Sequence, residues 1–360
     1  MPSSHYIINS KFSDSFRCQS IKSSFDLNED HLKKEFNINI PIEEHDWSLG
    51  VICGGSGTGK STLIKKVFPD AFIFSENSMQ WKAPCFIDDF KSDLSVKDIT
   101  SLLNKVGFSI PHDWIKPYSA LSTGQKMRAC LCRSLLEHND IIIFDEFTSV
   151  VDRKVAKICC IAVSKFVKRD KKKLIVVSCH KDILHWLEQD WVYDTDSFSF
   201  SRGCLRRRQE KIYIRKAKRS EYELFRKHHY MSATSSPAAV GFIAELDNKP
   251  VAYCSVIYQT GKTKNIFRLH RTITLPDYQG IGIGVKLTNF VAKFYKKQGR
   301  RLTRRTSHPA IINYCNNHPD WKFKGFVKFR TSIDKGFKNP FTGSVNRITA
   351  GFEYVGEPLA

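Results

Sequence analysis

Residues 49–68 read Leu49-Gly50-Val51-Ile52-Cys53-Gly54-Gly55-Ser56-Gly57-Thr58-Gly59-Lys60-Ser61-Thr62-Leu63-Ile64-Lys65-Lys66-Val67-Phe68. Gly54 to Ser61 fits the pattern G-x-x-x-x-G-K-[ST], with an apolar run before it and a helix-like segment, Thr62–Phe68, after it. Strand, glycine loop and helix are the context this pattern requires. Gly54, Gly57 and Gly59 let backbone N–H groups turn inward to wrap phosphates, Lys60 reaches the β- and γ-phosphates, and the Ser61 hydroxyl ligates Mg²⁺. Thr62 belongs to the same phosphate-facing set. The expected ligand is ATP.

Further along, Ile141-Ile142-Ile143-Phe144-Asp145-Glu146 places two acids after four bulky apolar residues. The apolar run predicts a buried parallel strand. Its C-terminal end is where open α/β sheets bind ligands. Asp145 suits the Mg²⁺ shell, and Glu146 suits the base that polarises an attacking water.

Between these two elements lies Leu121-Ser122-Thr123-Gly124-Gln125, opening a helix-like stretch to about Glu137. It resembles the LSGGQ signature of ABC-type ATPases, with Thr123 replacing the first glycine. The rest of the set follows in order: Ser149-Val150-Val151-Asp152, then Leu174 to His180, which looks like a strand ending in the family's switch histidine. The resemblance covers roughly residues 1–200. It implies that Ser122, Gly124 and Gln125 meet the γ-phosphate of ATP held by a second subunit, so the chain is expected to form an ATP-dependent homodimer. A helix N-terminus with exposed N–H groups suits that task. Two family elements have no clear counterpart: Gln80 is the nearest candidate for the loop glutamine, and Phe36 is one option for the aromatic that stacks on adenine.

Some roles are excluded or disfavoured. No apolar stretch approaches the roughly 18 to 20 residues that span a bilayer, so a transporter in one chain is not expected and no membrane contact is assigned. A subunit docking on a separate membrane partner remains an alternative. About 60 residues separate Lys60 from Leu121, too few for a long coiled-coil arm. The start has no basic region followed by an apolar one, so no secretory signal is read. The 11 cysteines contain no C-x-x-C pair and read as reduced thiols of a cytoplasmic protein.

Charge locates a boundary. Residues 1–200 hold 26 Lys+Arg and 26 Asp+Glu, whereas residues 201–360 hold 31 and 10, so the whole net charge of +21 lies in the second part. A basic linker (201–210) and a domain over 211–360 are expected. The imbalance predicts a polyanionic partner, DNA or RNA; solubility alone is the plainer reading of the same charge.

In that part, strands are expected near 211–217, Val240–Glu245, Pro250–Tyr258 and Phe267–Thr274, with a turn at Asp247-Asn248-Lys249 and a helix near Ser220–His229. Pro276-Asp277-Tyr278-Gln279-Gly280-Ile281-Gly282-Ile283-Gly284 follows, then a helix over Val285–Gln298. Gln279-x-x-Gly282-x-Gly284 matches the [RQ]-x-x-G-x-[GA] loop of GNAT acyltransferases. Small residues there, Gly280 included, let backbone N–H groups at a helix N-terminus approach the pyrophosphate of a CoA thioester. A glycine loop of another fold is the competing reading. Arg301–Thr306 reads as the next strand and Ala310–Asn316 as a helix. The resemblance to GNATs implies acetyl-CoA, or another acyl-CoA, as cofactor. It also implies a tyrosine that protonates the departing thiolate; Tyr314 stands in that place, or is simply packed. His308 could be a base, a nucleic-acid contact or a turn residue, and His228-His229 is another candidate pair.

The expected fold is therefore α/β: an ABC-type P-loop ATPase domain (1–200) followed by a GNAT-like mixed α/β acyltransferase domain. The combination resembles microbial and viral ATPase–acetyltransferase fusions. The segments FRKHHY (Phe225–Tyr230), Gln279–Gly284 and TSHP (Thr306–Pro309) carry that likeness, the last two with a faint similarity to the phage Mom family of DNA-modification proteins. The expected function is ATP-dependent acyl transfer to a nucleic acid or an associated target. The alternatives are an ATP-switched clamp with a non-catalytic GNAT-like module, and a protein acetyltransferase.

Overall fold

A computed structural model of the protein describes residues 3–9, 13–25, 33–75, 78–203, 211–228, 236–259, 265–328 and 348–359. Two compact units are formed: Met1–Met79 with Glu137–Val150 and Ser164–Arg207, and Gln80–Leu136 with Val151–Val163 and Arg208–Ala360. The charge break near 200 falls close to Arg207, but contacts regroup the chain more deeply. The helical stretch 80–136 belongs with the basic part, because packing follows shared apolar faces whereas charge marks only surface.

Along the first unit run β1 (Ser3–Asn9), α1 (Phe16–Ser24), β2 (Lys33–Asn39), β3 (Leu49–Cys53), α2 (Lys60–Val67) and β4 (Phe72–Phe74). β1 and β2 pair antiparallel. The segment from 80 to 137 supplies α3 (Val96–Lys105), α4 (Pro111–Trp114) and α5 (Thr123–Glu137). Then follow β5 (Ile142–Phe144), α6 (Arg153–Arg169), β6 (Leu174–Ser178), β7 (Trp191–Asp194) and β8 (Ser199–Arg202). The first unit's sheet has the order β4-β5-β6-β3-β7-β8, parallel except for the edge strand β8. Every residue of β3 and β6 is buried, as expected of parallel strands covered on both faces. Asp145 follows β5 and His180 lies two residues past β6, so both stand with the glycine loop at the carboxyl ends of the strands.

The remaining chain gives β9 (Tyr213–Lys216), α7 (Glu223–Arg226), β10 (Val240–Leu246), β11 (Lys249–Tyr258), β12 (Ile266–Thr274), α8 (Ile283–Lys297), β13 (Arg301–Thr306), α9 (Pro309–Asn317), β14 (Trp321–Lys328) and β15 (Ile348–Tyr354). The expected long helix at 220–229 is instead a 3₁₀ turn, Arg219–Tyr222, running into the short α7. The β10–β11 turn holds Asp247 and Asn248 at φ 50° and 59°, the paired left-handed conformation that two-residue hairpins favour.

The seven-stranded sheet runs β14-β15-β13-β12-β11-β10-β9. Only β12 and β13 are parallel in it, and their pairing stops at Leu269↔Arg304 although both strands continue. The sheet therefore splits in its middle. One face packs α8 (Leu287, Val291, Tyr295) and the first half of α6 (Ile158, Ile161) into a single core. The other face buries Tyr222, Phe225, Ile243, Tyr253 and Ile273. Among the described residues no helix is long and apolar enough to cross a membrane.

Candidate functional sites

In the first unit the glycine loop is wrapped for an anion. Gly57 and Gly59 have φ of 77° and 89°, and a Cβ on Gly57 would meet nothing within 4 Å, so the loop faces open space. Lys60 Nζ donates to the carbonyls of Gly54 (2.8 Å) and Gly55 (2.5 Å). The Ser61 hydroxyl donates to Asp145 Oδ2 at 2.8 Å, which brings together the two oxygens assigned to Mg²⁺. Thr62 continues α2 behind them. Glu146 sits in the left-handed region at φ 54°, with its N–H bonded to Asp145 Oδ1 at 2.9 Å. His180 is half-buried, and its N–H donates to the Ser178 hydroxyl. These residues fit a Mg²⁺–nucleotide.

One participant was not anticipated. The Asp196 carboxylate accepts the Gly55 N–H at 2.8 Å and pairs with Lys181, which also holds Asp194. Lys181 first, then the Gly55 N–H, holds the Asp196 carboxyl below the usual range.

In the second unit, Ser122 caps α5. Its N–H donates to Gln125 Oε1 at 2.9 Å, and its hydroxyl faces the Gln125 N–H at 3.4 Å, a reciprocal cap of S-x-x-Q type. Gly124 follows in the first turn, where a Cβ would stand 3.2 Å from Val155. Gln80 is exposed, and its carbonyl accepts from Arg133. Phe36 belongs to β2 by its backbone, but its side chain lies outside the described residues, as do Arg206–Arg208 and the other linker residues from 204, and His229 and Tyr230.

The split between β12 and β13 opens into a cavity of about 650 Å³. Gln279, Gly280, Gly282 and Gly284 line it at the start of α8. Gly282 caps that helix at φ 85°, and a Cβ there would meet nothing within 4 Å. This is the open N–H cradle a pyrophosphate needs. Its neighbours have a further reason to be glycine. A Cβ on Gly284 would stand 2.8 Å from Thr274 Oγ1, and one on Gly280 2.7 Å from Gly107 Cα. The Gln279 side chain serves protein partners, accepting from Ser109 N at 2.9 Å and donating to Thr274 O at 3.0 Å.

His270, which sequence reasoning missed, also lines this cavity. In the β11–β12 ladder Ser255 pairs with Arg271 and Val256 with Leu269, so His270 is the unpaired residue of a bulge. Bulges beside sites re-aim a side chain. Its Nδ1 is buried and has no hydrogen-bond partner among the described residues. Burial first, then Arg271 and Arg268, pushes its pKa down to about 4, so the ring is neutral. The wall also carries Arg268, Arg271, Arg304 and Arg305, and no Asp or Glu among the described residues. Burial and the charge of Arg305 both lower the Arg268 pKa.

Two anticipated residues are placed differently. His308 Nε2 lies 3.1 Å from Ser109 O, with its ring edge-on to Trp114, so it joins two segments rather than standing free as a base. Tyr314 is absent from the described cavity lining. Its hydroxyl accepts from Asn289 Nδ2 at 2.6 Å, and Asn289 Oδ1 accepts from the Trp321 indole. That bond leaves the Tyr314 O–H proton free to donate.

Residues 66–149 match the family described as ABC transporter, and residues 185–314 match the Acetyltransferase (GNAT) family. Elongation factor 3B of Saccharomyces cerevisiae is 34% identical over 117 residues, covering 28% of this chain and 11% of that protein. The chain thus spans about a tenth of that relative's length. Among solved structures, an IAA acetyltransferase from Bacillus cereus is similar at 15% identity and TM-score 0.30, over 40% of this chain and 99% of that one. Part of an ABC transporter complex from Clostridium perfringens is similar at 19% identity and TM-score 0.37, over 52% and 81%. The likeness to Mom-type proteins has no counterpart among these matches.

Proposed function

We propose that this chain, an ABC-type ATPase segment joined to a GNAT acetyltransferase segment, transfers an acyl group to an amine of a nucleic acid under the control of ATP. The observation that carries this reading is the cavity at the β12–β13 split. It combines an anion cradle at Gly282, a neutral buried imidazole and the side chains of Arg268 and Arg305. The Arg305 charge acts on the half-buried Arg268, and an anionic ligand between them would relieve that repulsion. Residues 201–360, at +21, extend the same demand over the surface.

The first-turn N–H groups of α8 hold the pyrophosphate of acetyl-CoA or another acyl-CoA, which supplies the activated thioester carbonyl when bound. Arg268 and Arg305 take phosphates of the acceptor; as its amine attacks the thioester carbonyl and the C–S bond breaks, His270 accepts the amine proton and the CoA thiolate leaves, to be protonated from solvent. Burial and the neighbouring arginines keep the ring unprotonated, and an anionic ligand against Arg268 would raise its basicity toward the working range. In the ATPase segment, Lys60 holds the nucleotide phosphates, Ser61 and Asp145 hold Mg²⁺, and Glu146 orients the attacking water. With one such set per chain, two chains form the complete ATPase as a homodimer. The first test is calorimetry with acetyl-CoA: binding is expected, and none at millimolar ligand would leave the cavity without its cofactor.

A further inference from the structure

The second unit contains a connected segment that the reading above leaves without a task. Asn104, Ser109, Ile110 and Pro111, all ahead of the signature, complete the wall of the acyl-CoA cavity. At the other end of the segment, the buried Asp113 carboxylate accepts from Gln125 Nε2 at 2.8 Å and from Lys116 at 2.6 Å. One side chain, Gln125, thus both caps the signature helix through Ser122 N and ties it to α4.

From α4 the connection runs to the cavity. The Trp114 indole donates to Phe108 O at 2.9 Å, Ser109 bonds His308 through its carbonyl and Gln279 through its N–H, and a Cβ on Gly107 would stand 2.7 Å from Gln279 O. Hydrogen bonds and chain neighbours thus connect the signature cap to the Gln279 loop.

We propose that ATP at the signature and acyl-CoA in the cavity are antagonistic ligands linked through residues 107–125. The joints are Gln125–Asp113 at one end and Ser109–Gln279 with His308 at the other. This rests on reading the cavity as the acyl-CoA site. A γ-phosphate at the start of α5 takes the Ser122 N–H that Gln125 Oε1 now satisfies. Gln125 then turns, Asp113 loses its amide donor, and α4, a single turn of four residues, loosens its hold on Ser109. The wall seated against Gln279 and Gly280 loosens with it, so acyl-CoA is held less tightly. Linkage makes the effect reciprocal: acyl-CoA weakens ATP binding by the same factor, typically about 5–150-fold for such couplings.

The test uses the full chain carrying Glu146→Gln, so that bound ATP persists. Calorimetry measures acetyl-CoA affinity without nucleotide, with Mg²⁺–ATP and with Mg²⁺–ADP, and then ATP affinity with and without acetyl-CoA. The expected result is a Kd for acetyl-CoA at least fivefold higher with ATP, unchanged with ADP, and the same factor in the reverse titration. Asp113→Ala and Trp114→Phe, at successive joints of the route, are each expected to bring that ratio to about one while either ligand alone still binds. Equal or tighter acetyl-CoA binding with ATP overturns the coupling and leaves the cavity assignment standing. An undiminished ratio in both variants overturns the route. No acetyl-CoA binding in any state overturns the cavity assignment itself, and the coupling with it.

Discussion

His308 Nε2 and the carbonyl oxygen of Ser109 lie 3.1 Å apart although 199 residues separate them in the chain. The contact ties a helix-rich stretch that precedes Leu121–Gln125 to the strand end beside the β12–β13 cavity. Burial lowers the His308 pKa, so the ring holds this bond as a neutral group.

The pair of Ser61 and Asp145 defines the first prediction. Ser61→Ala and Asp145→Asn each remove an oxygen assigned to Mg²⁺ and are expected to abolish Mg²⁺-dependent hydrolysis. Glu146→Gln is expected to keep ATP binding and to slow turnover by about 10²–10⁴-fold, the usual contribution of a general base. Size-exclusion chromatography of Glu146→Gln with Mg²⁺–ATP checks the sandwich: a dimer is expected, and a persistent monomer contradicts it.

Asp196 competes with phosphate for the Gly55 N–H. Asp196→Asn removes a negative charge from the mouth of the loop and leaves Lys181 paired with Asp194. ATP is expected to bind severalfold more tightly, as read by fluorescent-nucleotide anisotropy. Unchanged or weaker binding would show that the carboxylate does not oppose the nucleotide.

His270 sets a pH signature. Its folded pKa of about 4 lies below the ordinary histidine value, about 6.5. Between those values the unfolded chain binds more protons than the folded one. Its contribution to stability is therefore full above about pH 6.5 and declines as pH falls toward 4. The acid limb of acyl transfer is likewise expected well below pH 6.5. His270→Gln is expected to lower the rate by about 10²–10⁴-fold and to flatten the melting temperature between pH 6.5 and 4. An acid limb centred near 6.5 would assign the base elsewhere.

Nucleic-acid contact is expected from Arg305, whose side chain is exposed at the cavity, more than from its neighbours. Arg301 is paired with Glu353 at 2.6 Å, and Arg304 is buried against Trp321 and Cys315. Arg300 stands 4.9 Å over the Phe267 ring. Of the four, Arg304 alone is buried. Arg305→Gln is expected to weaken duplex binding across all sequences and to reduce the log–log salt slope by about 0.9. An equal loss in Arg301→Gln would contradict this ranking.

What the sequence disclosed follows from what local chemistry can encode. Gly54–Ser61, a loop shaped for phosphate, and Ile141–Glu146, a buried strand tipped with two acids, are short runs whose residue types follow from local chemistry, so they are readable without neighbours; in Gln279–Gly284 only Gly282 is open in that way. His270 is different: its role arises from a bulge that only the β11 register reveals. The one hint was polar Arg268-Leu269-His270-Arg271 inside a strand leading to the glycine loop. Asp113 and Ser109 act through partners 12 and 170 residues away, which no local pattern records. Tyr314 shows the converse: the sequence matched a family position, but not that Asn289 Nδ2 donates to its hydroxyl oxygen.

The central claim is acyl transfer to nucleic acid at the β12–β13 cavity. The most direct measurement incubates the protein with isotopically labelled acetyl-CoA and either transfer RNA or duplex DNA, digests the nucleic acid to nucleosides and analyses them by mass spectrometry. The account predicts a labelled acyl-nucleoside that is absent with His270→Gln and with Arg268→Gln/Arg305→Gln. Label found only on protein, or a labelled nucleoside undiminished in both variants, would contradict it.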